Sequence, residues 1–450
     1  MKNTDFIKGP VWKCILAQSV PMIIAQLVHL LYNVVDRIYL GHMGDSGAMA
    51  LTGVGLTFPV ATLIMAFAAL FGTGGVPLFS IARGAGRDED AKKILGNSFL
   101  LLLISSAALT AVFYIFKRPI LFAFGASEES FVFANEYLRI YLAGAVFSAL
   151  VTGLNGYINA QGFPKVGMLS VVIGAVVNIA LDPLFIFGFE MGVSGAALAT
   201  VIAQALSAVW VLSFLIGRRS QIHLERKYLK LEGRIFLDIL KLGTSNFVMQ
   251  GTTFLVQIAC NATLQLYGGD LYVGVMTVTN SVRDIFMLPV SGITSGAGPV
   301  ISYNYGAKRY DRVRSGIKFN TFIGLGYTVI AWLAVLIFPR FWFGIFSDDT
   351  ALADIGIKLL QTYFFGFAFM SFQFAGQSAF QSLGDAKHAI IFSLLRKVVI
   401  VIPLTLLLPA LGLGADGVFM AEPISNIVGG IACYLTMMLT VYRKLKTTDL

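Results

Sequence analysis

The sequence predicts an all-α polytopic membrane protein whose twelve transmembrane helices form two parallel six-helix lobes with pseudo-two-fold symmetry. Three observations predict it. First, 57% of the 450 residues are hydrophobic and only 13% are charged, with a mean hydropathy of +0.78, which is too apolar for a soluble chain of this length. Second, windows of about 20 apolar residues follow one another along the chain, each long enough to cross a bilayer as a helix. Third, the chain repeats itself at a fixed shift of 222 residues. Gly74, Pro77, Ser80, Gly84, Ala85 and Arg87 coincide with Gly296, Pro299, Ser302, Gly306, Ala307 and Arg309. The register holds further along, where Tyr141, Gly144, Gly162, Lys165, Gly192 and Gly195 coincide with Tyr363, Gly366, Gly384, Lys387, Gly414 and Gly417. Each repeat contains an even number of spans, so both halves start from the same side of the membrane. Parallel halves of this kind hold a substrate between two lobes that rock to expose it alternately.

The spans centre near residues 27, 66, 105, 146, 177, 205, 252, 289, 327, 368, 399 and 429. Span 1 is long and carries Asp36, so it reads as a membrane helix, neither a signal h-region nor a targeting peptide. Pro21 removes a backbone donor near its start, so this helix can bend. Gln26, His29, Asn33 and Asp36 recur at spacings of three, four and three and give the helix one polar face. Such a face is costly against lipid but not against a water-filled cavity. His29 alone reads equally as an interhelical hydrogen bonder.

Spans 2 to 4 are joined by short connections. Span 5, residues 166–188, contains "VVNIALDPLFIFG", with Asn178 and Asp182 one helical turn apart. Span 6 opens with "GVSGAALAT" and carries Thr200 and Gln204. The only long connection follows it, and the charged stretch "RRSQIHLERKYLKLEGR" marks it as a cytoplasmic, solvated or headgroup-facing linker. The boundaries are therefore 1–217 for the N-terminal lobe, 218–241 for the linker and 242–450 for the C-terminal lobe. In the second lobe, Arg283 and Asp284 lie in span 8, Arg396 and Lys397 in span 11, and Glu422 in span 12. They read either as paired structural charges or as cavity lining. Gln373, Gln377 and Gln381 form a ladder in span 10 that faces the cleft or bonds a neighbouring helix.

Basic residues set the orientation. Arg87, Lys92, Lys93, the linker, and Lys308 to Lys318 put clusters of them on one side, whereas the opposite loops hold only Lys117, Arg118 and Arg340. Both termini are thus cytoplasmic. Inner-face anchoring accounts for the net charge of +9, and a nucleic-acid partner is not needed. The partner is the lipid bilayer. Cys14, Cys260 and Cys433 have neither metal spacing nor a pairing pattern and read as packing residues.

The acids inside the membrane are the functional candidates, since burying a carboxylate there costs about 2.5 to 3.5 kcal/mol on insertion scales. Asp36 precedes Gly41 by five residues, Asp182 precedes Gly188 by six and Thr200 follows Gly195 by five. At about 1.5 Å per residue all three lie roughly 7 to 9 Å below the outer helix ends. Two carboxylates, an amide and a hydroxyl make an oxygen-rich pocket suited to a proton or a small hard cation such as sodium. The alternative is that each acid pairs with a helix end or with Arg37 and only fixes packing. His29, Asn33, Asn155 and Gln204 are the candidates for the substrate cavity. The second lobe does not copy the acids: Asn178, Asp182 and Thr200 shift onto Ile400, Leu404 and Glu422, which centres ion chemistry in the first lobe.

"VDRIYLG" in span 1, "GAGRDEDAKK" and "YGAKRYDRVRSG" after spans 2 and 8, "NAQGFPK" after span 4, "NIALDPLFIFG" in span 5 and "GVSGAALAT" in span 6 resemble the multidrug and toxic compound extrusion (MATE) family over essentially the whole chain. The resemblance implies a secondary active antiporter and not an enzyme. It would export organic cations and amphipathic drugs in exchange for protons or sodium, without a cofactor, as a monomer in the plasma (inner) membrane of a bacterium. It also implies that Asp36, Asn178, Asp182 and Thr200 form the cation site, with Pro21 the bend point of span 1. Span 7 offers Gln257 and Asn261 where one branch of the family uses acids, so the branch relying on the N-terminal lobe is expected. Two other readings differ in class. A lipid-linked oligosaccharide flippase calls for a strongly basic cavity, for which the spans offer Arg283, Arg396 and Lys397. A membrane-embedded enzyme calls for a nucleophile or metal cluster that four scattered histidines do not supply.

Overall fold

The computed structural model describes residues 4–43, 47–346 and 350–445. Its helices, in chain order, are α1 (Val11–Gly41), α2 (Gly47–Ala68), α3 (Gly75–Gly84), α4 (Asp88–Ala123), α5 (Glu128–Ala160), α6 (Pro164–Pro183), α7 (Gly192–Ile216), α8 (Gly233–Gly306), α9 (Tyr310–Ile337), α10 (Pro339–Gly344), α11 (Thr350–Phe364), α12 (Met370–Ser382), α13 (Ala386–Leu394), α14 (Ile402–Leu408) and α15 (Gly414–Met437). Among the described residues, ten continuous helical segments are long and apolar enough to cross a membrane. Two of them are double spans. Gly233–Gly306 runs for 74 residues and breaks at Gly269, whose φ of 65° only glycine adopts freely. Ala386–Tyr442 runs for 57 residues and breaks at Gly412 and Gly414, with φ of 98° and 54°. About 20 residues cross the hydrocarbon core, so each is a pair and the described residues make up twelve spans. Exposed apolar side chains such as Ile115, Leu266, Phe322 and Leu411 belong against lipid.

Local sequence sets the helix ends. Asp88, Glu89 and Asp90 open α4 with negative charge at its N-terminus. Ser127 and Ser130 cap α5 reciprocally, each side chain accepting from the other's backbone N–H. Pro164 starts α6, where its missing N–H has no partner to lose. Pro183 ends the regular part of α6, and residues 184–188 widen into a π-helical turn.

The chain divides into two compact units, Met1–Asp5 with Val20–Gly243 and Phe6–Ser19 with Thr244–Leu450. Helix α1 is therefore shared. Its first turns belong with the second unit because Val11, Cys14 and Ile15 are buried among Val300, Ile301, Val313 and Ile317. Arg312 and Asn304 also donate to the Phe6 carbonyl, at 2.9 and 3.1 Å. In the first unit one core gathers around Phe79, Leu95, Leu102 and Tyr157, next to the linker residues Ile222 and Ile239. A second gathers around Leu40, Ile64, Leu138 and Ala196. Backbones approach closely at Gly72 and Gly153, where a Cβ on Gly72 would lie 2.1 Å from the Gly153 Cα. Small residues allow such contact between membrane helices. The linker is held to the first unit by Gln161, whose Oε1 accepts from Ser220 Oγ and from the backbone N–H groups of Gln221 and Ile222.

Candidate functional site

Helices α1, α5, α6 and α7 bring the predicted polar residues of the first unit together. Asn178 and Asp182 are one turn apart on α6, so they share a face, and both are buried. The Asn178 Nδ2 donates to Asp182 Oδ1 at 3.1 Å and to Thr200 Oγ1 of α7 at 3.5 Å. From α1, the Asp36 carboxyl lies within hydrogen-bonding reach of the Asp182 carboxyl. The depth match read from loop positions thus corresponds to side-chain contact. Arg37 does not share this face, because successive helical residues point about 100° apart; its guanidinium sits 4.7 Å from the Phe58 ring centre.

Three oxygens in this cluster, Asp36 Oδ1, Asn178 Oδ1 and Asp182 Oδ2, are buried without a hydrogen-bond donor. Oxygens so placed are unfavourable unless something positive joins them. Two carboxyls in contact cannot both carry an uncompensated charge at low dielectric. They require a shared proton or a cation, and the donor set of carboxylate, amide and hydroxyl oxygens fits a hard ion.

Adjoining the cluster is a partly open cavity lined by His29, Tyr32, Asn155, Asn178, Thr200 and Gln204 among others. Asn178 and Thr200 therefore face both cluster and cavity. Asn33 does not line it: its amide folds back along α1, donating to the His29 carbonyl at 2.7 Å and lying 3.1 Å from His29 Nδ1. Asn155 reaches across to α6, donating to the Gly167 carbonyl and to Ser170 Oγ, each at 3.1 Å. A Cβ on Gly167 would strike the Asn155 side-chain oxygen at 2.5 Å, so that glycine leaves room for the amide. Pro21 lies within α1, two residues beyond the point at which the helix passes from one compact unit to the other.

Sequence reasoning missed the tyrosines. The Tyr137 hydroxyl lies within hydrogen-bonding reach of the Thr200 side chain, Tyr137 stacks on Tyr141 with ring centres 6.0 Å apart, and the Tyr32 hydroxyl lies 3.3 Å from His29 Nε2. Two signals pointed to them. Tyr141 is one of the residues that the repeat preserves, as Tyr363, and Tyr32 flanks the polar stripe at i+3 from His29 and i−4 from Asp36. The glutamine ladder is settled by its partners. Gln373 donates to Gln377, Gln377 to Ser393 Oγ at 2.6 Å, and Gln381 to Ser245 Oγ at 2.9 Å, so it joins helices within the second unit.

Comparison with known proteins agrees with this architecture. The multidrug export protein MepA of Staphylococcus aureus (strain MRSA252) is 27% identical over 444 residues, covering 97% of this chain and 95% of that one. MepA of Staphylococcus saprophyticus is 26% identical over 439 residues, with the same coverage. A crystal structure of MATE in the bent conformation superposes with a TM-score of 0.93 at 25% identity, over 100% of this chain and 99% of the other. The outward-facing conformation of a multidrug resistance MATE family transporter does so with a TM-score of 0.92, also at 25% identity and with 100% and 99% coverage. The MatE family profile matches residues 21–184 and 247–407, one segment in each half of the repeat. With most of its length matched and its fold shared with solved members, this multi-pass membrane chain belongs to the MatE family of transporters.

Proposed function

We propose that this protein is a secondary active antiporter that exports organic cations and amphipathic drugs by alternating access in exchange for protons or sodium. Asp36, Asn178, Asp182 and Thr200 hold the coupling ion in the first unit. His29, Asn155 and Gln204 face the substrate in the adjoining cavity, with Asn33 orienting His29. The observation that carries this reading is the contact between the Asp36 and Asp182 carboxyls beside buried, donor-free oxygens. A cluster that must hold a positive charge, and that shares Asn178 and Thr200 with a cavity, can give up its ion when a cationic substrate arrives. The export proteins similar in sequence support the drug class. The driving force suffices: one charge moved through 100 mV is worth about 2.3 kcal/mol, roughly a fiftyfold concentration ratio. The protein acts as a monomer in a bacterial inner membrane, with both termini in the cytoplasm.

The test is efflux of ethidium from proteoliposomes with a pH gradient and a sodium gradient imposed separately. One of the two should drive accumulation against the ethidium gradient. Transport indifferent to both would remove the antiport reading.

A further inference from the structure

The second unit contains a cavity that the cation chemistry does not use. It is a partly open pocket, and its lining includes Arg283, Lys397, Glu422, Gln257 and Asn280. Arg396 stands beside it, donating to Glu422 Oε1 at 3.1 Å and to Asn426 Oδ1 at 3.2 Å. Lys397 Nζ donates to both Glu422 oxygens, at 3.1 and 3.3 Å. Arg283 donates to Asp284 Oδ1 through Nε and Nη2, at 3.1 and 2.8 Å, and to the Tyr363 hydroxyl at 3.0 Å. Three cations thus share two carboxylates. Of those two, Glu422 is buried while the Asp284 side chain is 67% exposed. One positive charge is left over at a pocket whose basic groups can only donate hydrogen bonds. An unbalanced buried charge is unfavourable until a counter-charge joins it.

The repeat sharpens the point. Lys397 and Glu422 shift by 222 onto Ala175 and Thr200, and Arg396 onto Gly174. Gly174, Ala175 and Thr200 all line the cavity of the first unit. Asp36 and Asp182 shift the other way onto Ile258 and Leu404. The charged positions of one repeat are therefore neutral in the other: the first keeps two acids, Asp36 and Asp182, and the second keeps Arg396, Lys397 and Glu422 instead. Val256, Met276, Val401 and Val418 add an apolar part to the lining.

We propose that this second cavity binds the carboxylate of an amphipathic molecule, with Lys397 and Arg283 as the primary donors. A carboxylate there completes the charge balance, and Arg and Lys are the side chains suited to hold it. Met276 and Val401 take the apolar body. That such a molecule is cargo rests on the transport reading; the binding site itself does not.

The experiment uses the full-length protein in lipid nanodiscs and three fluorescent probes that share a dansyl group. Dansyl-6-aminohexanoate carries a carboxylate, dansylcadaverine an ammonium and N-hexyl dansylamide no charge. The carboxylate probe should bind about tenfold or more tightly than the neutral one, the gain expected of a charge-assisted hydrogen bond. Lys397→Met and Arg283→Gln should each remove that advantage, and Asp182→Asn should leave it within about twofold, since it lies outside the cluster. Thermal unfolding checks that each variant is folded. Should Lys397→Met fail to fold, Arg283→Gln decides, because Arg283 lies on another helix and its acidic partner is exposed. Equal affinity for the carboxylate and neutral probes, or full carboxylate binding by a folded Arg283→Gln, would overturn the proposal. So would displacement by sodium acetate at the concentration of the probe, which would mark a small-anion site. Loss of carboxylate preference with ethidium export intact would remove this site alone. Carboxylate preference without gradient-driven export would remove the antiport reading alone.

Discussion

Asp182 has no exposed surface, and its neighbours explain what a substitution there should do. Asp182→Asn keeps size and hydrogen bonding but removes one of the two negative charges and the proton it could share with Asp36. Gradient-driven efflux should fall about tenfold or more, the factor that 1.4 kcal/mol represents, with expression and thermal unfolding unchanged. Asp36→Asn should behave alike, and the double variant should be no worse than either, because contacting acids titrate as a pair. Efflux at wild-type rate in Asp182→Asn would make the carboxylate structural. Tyr137→Phe removes the hydroxyl partner of Thr200. A hydrogen bond of about 1 kcal/mol predicts roughly a fivefold rise in the ion concentration needed for half-maximal transport. Glu422→Gln acts on stability instead. It leaves Arg396 and Lys397 buried without their carboxylate, and breaking such a cluster costs about 3 to 5 kcal/mol, which a lowered unfolding temperature in detergent would register.

At the scale of elements, α1 carries most of the functional information and α5 most of the packing constraint. Pro21 deprives α1 of one interior hydrogen bond, a deficit of roughly 3 kcal/mol relative to alanine. Pro21→Ala should therefore stiffen and stabilise the helix while slowing turnover several-fold, with ethidium affinity little changed. Unaltered turnover would show that bending at this point is not part of the cycle. Gly72 meets Gly153 backbone to backbone. Gly72→Val should cost about 1 to 3 kcal/mol or more by overpacking, seen as poor expression and a lowered unfolding temperature. Hydropathy announced the spans, whereas the acids opening α4 and the proline opening α6 were recognised only with the helix ends in view. The division of α1 between two compact units was not legible, because Val11, Cys14 and Ile15 are ordinary apolar residues whose partners are some 290 positions away.

At the scale of the whole molecule, the asymmetry of basic residues gives a topology that labelling can check. In a variant lacking Cys14, Cys260 and Cys433, single cysteines at Arg87, Lys227 and Arg309 should resist a membrane-impermeant thiol reagent in intact cells. One at Arg118, whose side chain is 63% exposed, should react. The reverse pattern would invert the orientation.

Twelve spans, their order and their twofold repetition were readable from the chain because the bilayer imposes one demand on every span: about 20 apolar residues closed into a helix. Asp36, Asn178, Asp182 and Thr200 were readable for the same reason, since polar groups stand out where the solvent is hydrocarbon. The tertiary structure alone decided which of them touch. It put the Asp36 carboxyl against that of Asp182, turned Asn33 back onto His29, brought in Tyr137, and tied the glutamine ladder to neighbouring helices. It also gathered Arg283, Lys397 and Glu422, from three spans, around one cavity. Hydropathy reports the depth of a residue along a helix, but side-chain contact depends on the rotation of each helix and the distance to its neighbours. Those are set by packing among residues far apart in the chain, such as Gly72 against Gly153.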